Sequence, residues 1–395
     1  MKALRFEGTG LEYFKIWIVN ILLTIVTLGL YYPWAKVRNN RYFYANSTLE
    51  GRNFDYHATG KQLFIGYLIA ISLLIAYIVL QNISPTGSLI VFLIFIIALP
   101  WIIWRSLQFN MRMTSFSNVR FGFDGKLGGA YFNFMLLPIL FFIALYGIPG
   151  IFFAIAITMP GISPAVISIV GFLAVILFLF LVAYLFAVMK KRNTHYMLNG
   201  YRYGQGQFLT EVQVKPFMKI VLKTIGLAFV LFVGLMILAG LIASFTIGLE
   251  QMVGLQQNLE DPEAMSESFG MLIFVIGPLY LGFILVSFFV LAYSYTRQRS
   301  YILDNSVLDE KITFASTLKA WPFAWVMVSN FIVVILSLGL ALPWAKVRMT
   351  RMILENTQVD TSIGFDAYVT QQQKEQSSLG EQIGDAFDVD VGVGF

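Results

Sequence analysis

The chain has 395 residues, of which 58% are hydrophobic and 12% charged, with a formal net charge of +5 and a mean hydropathy of +0.73. An average soluble domain carries about 25% charged residues, so the composition excludes an ordinary soluble protein and indicates a membrane protein. The sequence contains no cysteine, which excludes disulfides, cysteine-bound zinc and iron–sulfur clusters.

Eight apolar runs follow in chain order, and each approaches the 20 or so residues that span a bilayer. They cover residues 13–34, 63–81, 88–104, 132–158, 163–189, 218–249, 270–295 and 321–345. Residues 1–7 lack the apolar core of a signal peptide, so we expect retention in a membrane. We predict a single repeated membrane domain over residues 1–370, followed by a cytosolic tail over 371–395.

Lysines and arginines lie in the termini, at the edges of the runs and in alternate connections. The connections 35–62, 105–131, 190–223 and 296–320 are basic, whereas 82–88, 159–163 and 250–269 contain neither residue type. Because basic connections stay in the cytosol, we predict three in-out-in helical hairpins, 63–104, 132–189 and 218–295, with both termini cytosolic.

A hexapeptide, Pro-Trp-Ala-Lys-Val-Arg, occurs at 33–38 and again at 343–348, and the two copies are called the PWAKVR copies below. In both, Leu-Gly-Leu precedes the proline, at a point where glycine and proline break helices. Basic residues flank both ends of each run. We therefore predict two bent or re-entrant PWAKVR segments that pack near one another; the alternative is eight straight transmembrane helices with both termini outside.

Short stretches of alternating aromatic and polar residues follow every return from the membrane. They cover residues 53–57, 119–123, 201–203, 311–314 and 363–366, and residues 4–8 resemble them. This alternation is typical of β-strands, which are unstable alone in water. We predict short cytosolic β-strands that pair into one layer on an α-helical polytopic membrane protein.

Several motifs together resemble the bacterial inner-membrane family typified by YjgN. They are residues 27–38, which read TLGLYYPWAKVR, then Arg41-Tyr42, residues 46–51 and 54–58, and the tail 384–392. The resemblance implies a multi-pass protein of the bacterial inner membrane. The family's function is unknown, so the resemblance implies no catalytic or binding residues.

Motifs that carry enzyme chemistry are missing from the sequence. There is no phosphate-binding glycine loop, no His-Glu-x-x-His and no Gly-x-Ser-x-Gly, and His57 and His195 are the only histidines. We predict that the chain is not an enzyme and that it uses no metal or cofactor. Its dispersed basic residues argue against nucleic-acid binding, and its oligomeric state stays open.

Two groups of residues are candidates for a site. Asn20 and Asn330 lie inside apolar runs and could form an intramembrane polar site, or they could bond a broken backbone or a neighbouring helix. Eight arginines could surround a cytosolic mouth and contact anionic lipid head groups or an anionic solute, or they could serve only topology. They are Arg38, Arg41, Arg112, Arg192, Arg297, Arg299, Arg348 and Arg351.

Two functions fit these features. The first is a permease or channel-like transporter of a neutral or amphipathic solute or lipid, embedded in the lipid bilayer. The second is a non-transporting scaffold or envelope-homeostasis factor that recruits partners through its β-layer and tail. The Gln-rich, then acidic tail is expected to be a flexible linker ending in a docking strand, or disordered. A protein partner would bind there.

Overall fold

The computed structural model of the chain describes residues 1–158, 163–246, 262–362 and 364–386. Within these ranges the protein is mostly helical. The helices are α1 (Gly10–Val26), α2 (Tyr32–Ala45), α3 (Gly60–Ile83), α4 (Pro85–Arg112), α5 (Leu127–Tyr131), α6 (Leu137–Thr158), α7 (Pro164–Leu198), α8 (Val214–Thr246), α9 (Pro262–Asp304), α10 (Ala320–Leu336), α11 (Leu342–Glu355) and α12 (Phe365–Ala386). A π-helical turn, Phe132–Leu136, joins α5 to α6.

The described ranges also contain eleven short strands in a single antiparallel sheet. They are β1 (Lys2–Ala3), β2 (Arg5–Phe6), β3 (Ser47–Leu49), β4 (Arg52–Tyr56), β5 (Thr114–Phe116), β6 (Val119–Phe123), β7 (Tyr201–Tyr203), β8 (Gly206–Thr210), β9 (Ser306–Leu308), β10 (Ile312–Ser316) and β11 (Thr357–Val359). Their order in the sheet is β1-β11-β10-β9-β8-β7-β6-β5-β4-β3-β2.

The sheet closes on itself through the N-terminal segment. Its two outermost strands, β1 and β2, are separated in the sequence only by Leu4, whose N–H donates to the carbonyl of Thr357 at 3.0 Å. The same segment therefore pairs with β11 on one side and with β3 on the other. Since the described strands leave no free edge, they form a barrel.

Five units of the same order build the barrel and the helices around it. In each unit a strand leads into an outgoing helix, a returning helix follows, and a second strand pairs with the first. The paired strands are β2–β3, β4–β5, β6–β7, β8–β9 and β10–β11. The returning helix of each unit packs on the outgoing helix of the next, and α11 of the fifth unit packs on α1 of the first. The helices therefore form a closed ring around the closed sheet.

Apolar side chains from every unit point into the barrel. We call the following ten residues the inner layer, two from each unit: Leu4, Leu49, Phe54, Phe116, Phe121, Tyr203, Phe208, Leu308, Phe314 and Val359. Phe54 lies opposite Phe116 in the sheet register, and Phe314 lies opposite Val359 in the same way. The alternation seen in the sequence therefore places two side chains of every unit into a shared core.

Helix α12 covers the end of the barrel at which the hairpin turns lie. Phe365, Tyr368 and Val369 enter the core. The helix contacts residues at or next to each of the four turns. Asp366 forms an ion pair with Arg52 at 2.7 Å, and the Lys311 ammonium lies 6.0 Å from the ring centroid of Tyr368. The Gln373 amide donates to the Ser117 carbonyl at 2.6 Å, and the Gln205 N–H donates to the Gln372 side-chain oxygen at 2.7 Å. The helix therefore closes one mouth of the barrel.

Six helical segments of the described chain are long and apolar enough to cross a membrane. They are Gly60–Ile83, Pro85–Arg112, Leu127–Ile151, Ser168–Leu198, Val214–Ile242 and Gly277–Asp304. They match the six runs that were predicted to form hairpins. At most 11% of the apolar window of any of them is buried, so most of their surface suits contact with lipid.

Both PWAKVR segments are bent. In the first, α1 ends at Val26 and α2 begins at Tyr32, with positive φ at Leu28 (50°) and Gly29 (91°) between them. In the second, Leu338 and Gly339 have nearly the same angles, 51° and 89°. Each run is therefore two helices that pack against each other.

Four of the five predicted strand stretches after the returns are confirmed. Residues 53–57, 119–123, 201–203 and 311–314 coincide with β4, β6, β7 and β10, and residues 4–8 overlap β2. The prediction for 363–366 is wrong over 364–366, because Gly364 has a φ of +60° and Phe365 begins α12. On its side away from β10, β11 pairs with β1 from the other end of the chain. Residue 363 lies outside the described residues.

The C-terminal segment also differs from expectation. We expected a flexible linker or disorder from residue 371, but the segment is helical from Phe365 to Ala386. Side chains of its first turns pack in the barrel core. The glutamine-rich sequence gives no signal of this packing. The predicted domain boundary at residue 370 falls within this helix. Residues 387–395, to which the docking strand was assigned, lie outside the described residues.

The asparagine that recurs after the returns ends the returning helix. The Asn46 side-chain amide donates to the Tyr42 carbonyl at 2.8 Å, and the Ser47 hydroxyl donates to the Phe43 carbonyl at 2.7 Å. Residues 305–306 and 356–357 repeat both bonds. Because the last carbonyls of a helix lack backbone partners, this Asn-Ser/Thr pair satisfies them where the chain changes from helix to strand.

Candidate amphipathic site at the PWAKVR helices

Each PWAKVR copy forms the contact between its own unit and the next. The Trp34 ring packs on Gly60 at the start of α3 and lies 5.0 Å from the Phe64 ring. The Trp344 ring packs on Gly10 at the start of α1 and lies 5.1 Å from Phe14. The fifth unit therefore meets the first as the first meets the second.

The first arginine after each copy strengthens the same contacts. Arg41 donates to the carbonyls of Tyr56 at 3.3 Å and Ala58 at 2.9 Å, and Arg351 donates to the Gly8 carbonyl at 2.8 Å. Both receiving segments precede a Thr-Gly helix start with a capping box, Thr9 with Glu12 and Thr59 with Gln62. These arginines therefore join neighbouring units.

Asn20 and Asn330 bond within their own bent segments. The Asn20 amide nitrogen donates to the Asn39 side-chain oxygen at 3.0 Å, and Arg38 donates to the Asn20 side-chain oxygen at 3.4 Å. The Asn330 amide donates to the Ala345 carbonyl at 3.1 Å, and Arg348 donates to Asn330 at 3.4 Å. Each asparagine thus ties an outgoing helix to its returning helix, which is the role of a polar contact between membrane helices.

A cavity of about 370 Å³ lies between α1, α2 and α11. Its polar lining comes from Asn20 and Thr24 on α1, from Tyr32, Lys36, Asn39 and Asn40 on α2, and from Lys346 on α11. Lys346 reaches it from the neighbouring unit, so this cavity exists only because the ring of units closes. Asn330 is not among its lining residues.

The polar part of the cavity favours an anion. Its lining carries the two ammonium groups of Lys36 and Lys346 and, over the described residues, neither Asp nor Glu. The Lys346 ammonium donates to the Tyr13 hydroxyl at 3.3 Å and lies 4.6 Å from the Phe43 ring centroid. Burial lowers the pKa of Lys346 below its ordinary value.

The remaining lining is apolar and continues onto the outer surface of α1. Trp17, Ile21 and Ile25 complete this side of the cavity. Ile25 is 66% exposed, and Val26 and Leu28 beyond it are 79% and 94% exposed. Because a large exposed apolar surface on a membrane protein faces lipid, the cavity joins a cationic, amide-rich end to a lipid-facing end. This is the chemistry of a site for an amphipathic anion.

The other candidate arginines do not line this cavity. Arg192 lies 5.7 Å from the Phe132 ring centroid, Arg297 lies 5.6 Å from that of Tyr293, and Arg299 donates to the Thr357 hydroxyl at 2.5 Å. Arg112 is exposed in the last turn of α4. Their role toward lipid head groups stays a prediction.

Sequence reasoning missed Lys36, Lys346, Asn39 and Asn40 as site residues. The available signal was the repeated lysine inside the hexapeptide, followed in the first copy by an Asn-Asn pair. Both histidines have local partners: His57 bonds the Ser115 hydroxyl at 2.7 Å, and His195 bonds Asn199 at 3.0 Å. The described residues contain no cluster of three His, Cys, Asp or Glu side chains that could hold a metal ion.

Comparison with known proteins supports the architecture. Residues 1–386 match the family described as "Bacterial protein of unknown function (DUF898)". The chain belongs to the DUF898 family. It is 29% identical over 360 residues to the inner membrane protein YjgN of Salmonella typhimurium, which covers 90% of this chain and 88% of that protein. It is 34% identical over 183 residues to YjgN of Escherichia coli K12, covering 44% and 45%.

No solved structure matches this DUF898 chain. The relatives are named as inner membrane proteins, and the described residues contain six apolar helices of spanning length. The DUF898 chain is therefore a multi-pass inner-membrane protein.

Proposed function

We propose that this protein is a permease-like membrane protein that takes up an amphipathic molecule with an anionic head group, such as a phospholipid. The observation that carries the proposal is the cavity between α1, α2 and α11, which joins two lysines and three asparagines to an apolar, lipid-facing surface. A neutral solute is a weaker fit, because the lining carries two positive charges.

The cavity supplies what a phosphate or carboxylate needs at a membrane surface. Lysines near an anionic lipid surface contribute about 1 kcal/mol each, and charge-assisted hydrogen bonds are stronger than neutral ones. Asn39 and Asn40 add amide groups beside Lys36, and Trp17, Ile21 and Ile25 would contact the start of an acyl chain. The head group and the chain would thus be recognised by different sides of the same site.

We propose that the barrel and both termini are cytosolic. The N-terminal strands and α12 both lie at the barrel, and the three hairpins leave from it and return to it. The connections on the barrel side carry the lysines and arginines, as expected for cytosolic segments. The two PWAKVR segments would enter the membrane and return to the same side.

We further propose that the protein acts without catalysis and without a metal or cofactor. The cavity unites lysines and amides, and the enzyme motifs sought in the sequence are missing. Its partners would be the lipid bilayer and anionic lipid head groups rather than nucleic acid.

Lipid binding by the purified full chain tests the proposal. The protein is reconstituted in phosphatidylcholine vesicles containing spin-labelled phosphatidylglycerol, and the immobilised fraction of the label is measured. We expect the double variant Lys36→Met, Lys346→Met to lose most of the immobilised fraction. Lys215→Met removes an exposed lysine at the start of α8 and serves as the matched control. Equal immobilisation in all three proteins would reject the site.

A scaffold is the second candidate function. The observation that favours it is the barrel, whose core is covered by α12 and whose cavity is lined by apolar surface over the described residues. A partner would then bind the barrel or the C-terminal segment. Transfer of fluorescent phosphatidylglycerol between the leaflets of the same vesicles separates the two functions, because a scaffold binds lipid without moving it.

A further inference from the structure

The barrel core contains a second cavity, separate from the one at the PWAKVR helices. It has a volume of about 200 Å³ and is lined by the inner layer, with Ile312, Thr357, Phe365 and Tyr368. The surface that these residues present to the cavity is entirely apolar. The Tyr203 hydroxyl is satisfied elsewhere, since it donates to the Phe116 carbonyl at 3.1 Å.

The cavity follows from the symmetry of the barrel. Four units place a phenylalanine at the same position of the first strand, Phe54, Phe121, Phe208 and Phe314, and the first unit of the chain supplies Leu4 just before β2. Side chains that project inward from five similar units meet around an axis, and these ones leave its centre unfilled. Helix α12 fills the turn end with Phe365 and Val369 and reaches no further.

An unfilled space of this size is costly. The loss of stability grows with the volume of a cavity, because the atoms around it lack contacts. A polar water cluster does not relieve this loss here, since a buried water needs two to four polar partners. An enclosed apolar cavity of about 150 Å³ is large enough to bind benzene; this one is partly open to the outside and has a larger volume.

We propose that the barrel cavity is a binding site for a compact apolar group of about the size of a substituted benzene ring. Aromatic and aliphatic walls suit such a group, because they offer dispersion contacts and demand no hydrogen bond. The bound group is either a free apolar molecule or the end of a lipid chain, and both would make the same contacts. The site does not depend on the lipid site proposed at the PWAKVR helices.

Hexafluorobenzene is the probe for the test, because its fluorine resonance reports a bound population apart from the probe dissolved in detergent. We expect a saturable bound signal with the purified full chain. Leu308→Phe places a larger side chain in the cavity, and it should reduce binding at least tenfold. Leu68→Phe makes the same change on the exposed surface of α3 and should leave binding unchanged.

A second variant that fills the cavity and a measurement by native mass spectrometry complete the test. Val359→Leu adds less volume to the cavity than Leu308→Phe does, so it disturbs folding less. It should still weaken binding of the probe, and it keeps the test valid if Leu308→Phe fails to fold. Native mass spectrometry of the wild type and the filled variants identifies the source: a lipid mass lost on filling indicates a chain end, and probe binding without a lipid mass indicates a free molecule. The proposal is overturned if neither a bound probe nor a retained lipid distinguishes the wild type from the filled variants.

Discussion

The indole of Trp344 lies against Gly10, the first residue of α1, and leaves no room there for a side chain. This contact joins the last unit of the chain to the first, and Trp34 repeats it on Gly60 one unit later. Closure of the helical ring therefore uses a tryptophan from a PWAKVR copy and a glycine behind an N-cap threonine.

Replacement of either glycine should loosen these contacts. Gly10→Ala or Gly60→Ala introduces a methyl group into the space of the indole, and overpacking of this kind costs about 1–3 kcal/mol. The melting temperature of the purified protein in detergent should fall. Gly226→Ala is the control, because nothing lies within 4 Å of that position and alanine favours a helix by up to about 1 kcal/mol. Equal melting temperatures for all three variants would contradict the packing.

Gly29 and Gly339 should tolerate substitution poorly for a different reason. Their φ angles of 91° and 89° lie where L-residues are strained. We expect Gly29→Val or Gly339→Val to destabilise the protein by about 1–3 kcal/mol or to prevent its folding. Gly171→Val, within α7 and with nothing within 4 Å, should be milder. Expression and thermal unfolding of the three variants give the comparison.

The barrel core should contribute far more to stability than the exposed faces of the helices. Phe116 is 4% exposed in the barrel, whereas Phe142 is 55% exposed on α6. Phe116→Ala should therefore cost about 3–5 kcal/mol, and Phe142→Ala should cost little in detergent. Thermal or denaturant unfolding monitors both variants. A larger loss at Phe142 would show that α6 packs against something in the folded protein.

Lipid binding should depend on the charge of Lys346. Desolvation lowers its pKa below the ordinary value of 10.5, so the ammonium loses its proton at a lower pH than an exposed lysine does. As the pH rises through this lowered pKa, binding of phosphatidylglycerol should weaken. In the same range the free energy of unfolding should rise, because the unfolded chain still binds the proton that the folded chain has lost. Lys346→Met should remove both dependences, and Lys215→Met neither.

The topology can be tested by labelling, since the sequence contains no cysteine. Cysteines introduced at the exposed positions Glu310, in a hairpin turn, and Gln81, near the end of α3, lie on opposite sides of the proposed membrane. In intact cells an impermeant thiol reagent should label Gln81→Cys and spare Glu310→Cys. The reverse pattern would place the barrel outside the cytosol.

The sequence by itself determined the local elements. Apolar runs of membrane-spanning length gave the six candidate spans, because about 20 apolar residues are needed to cross a bilayer. Leu-Gly-Leu before a proline predicted the bends at Gly29 and Gly339, since few other residues adopt such backbone angles. Aromatic alternation predicted four strands, because the period of two is a property of the strand itself.

Only the tertiary structure decided how the barrel closes and which distant residues come together at the two cavities. The pairing of β1 with β11 joins the two ends of the chain, and no local pattern encodes a contact between residues 2 and 359. After β11, Phe365 begins α12 where a strand was expected at 363–366. Closure also brings Lys36 and Lys346 to the lining of one cavity and the ten residues of the inner layer to the lining of another. Both candidate sites exist because the barrel closes, and closure is a contact between distant segments rather than a property of any one of them.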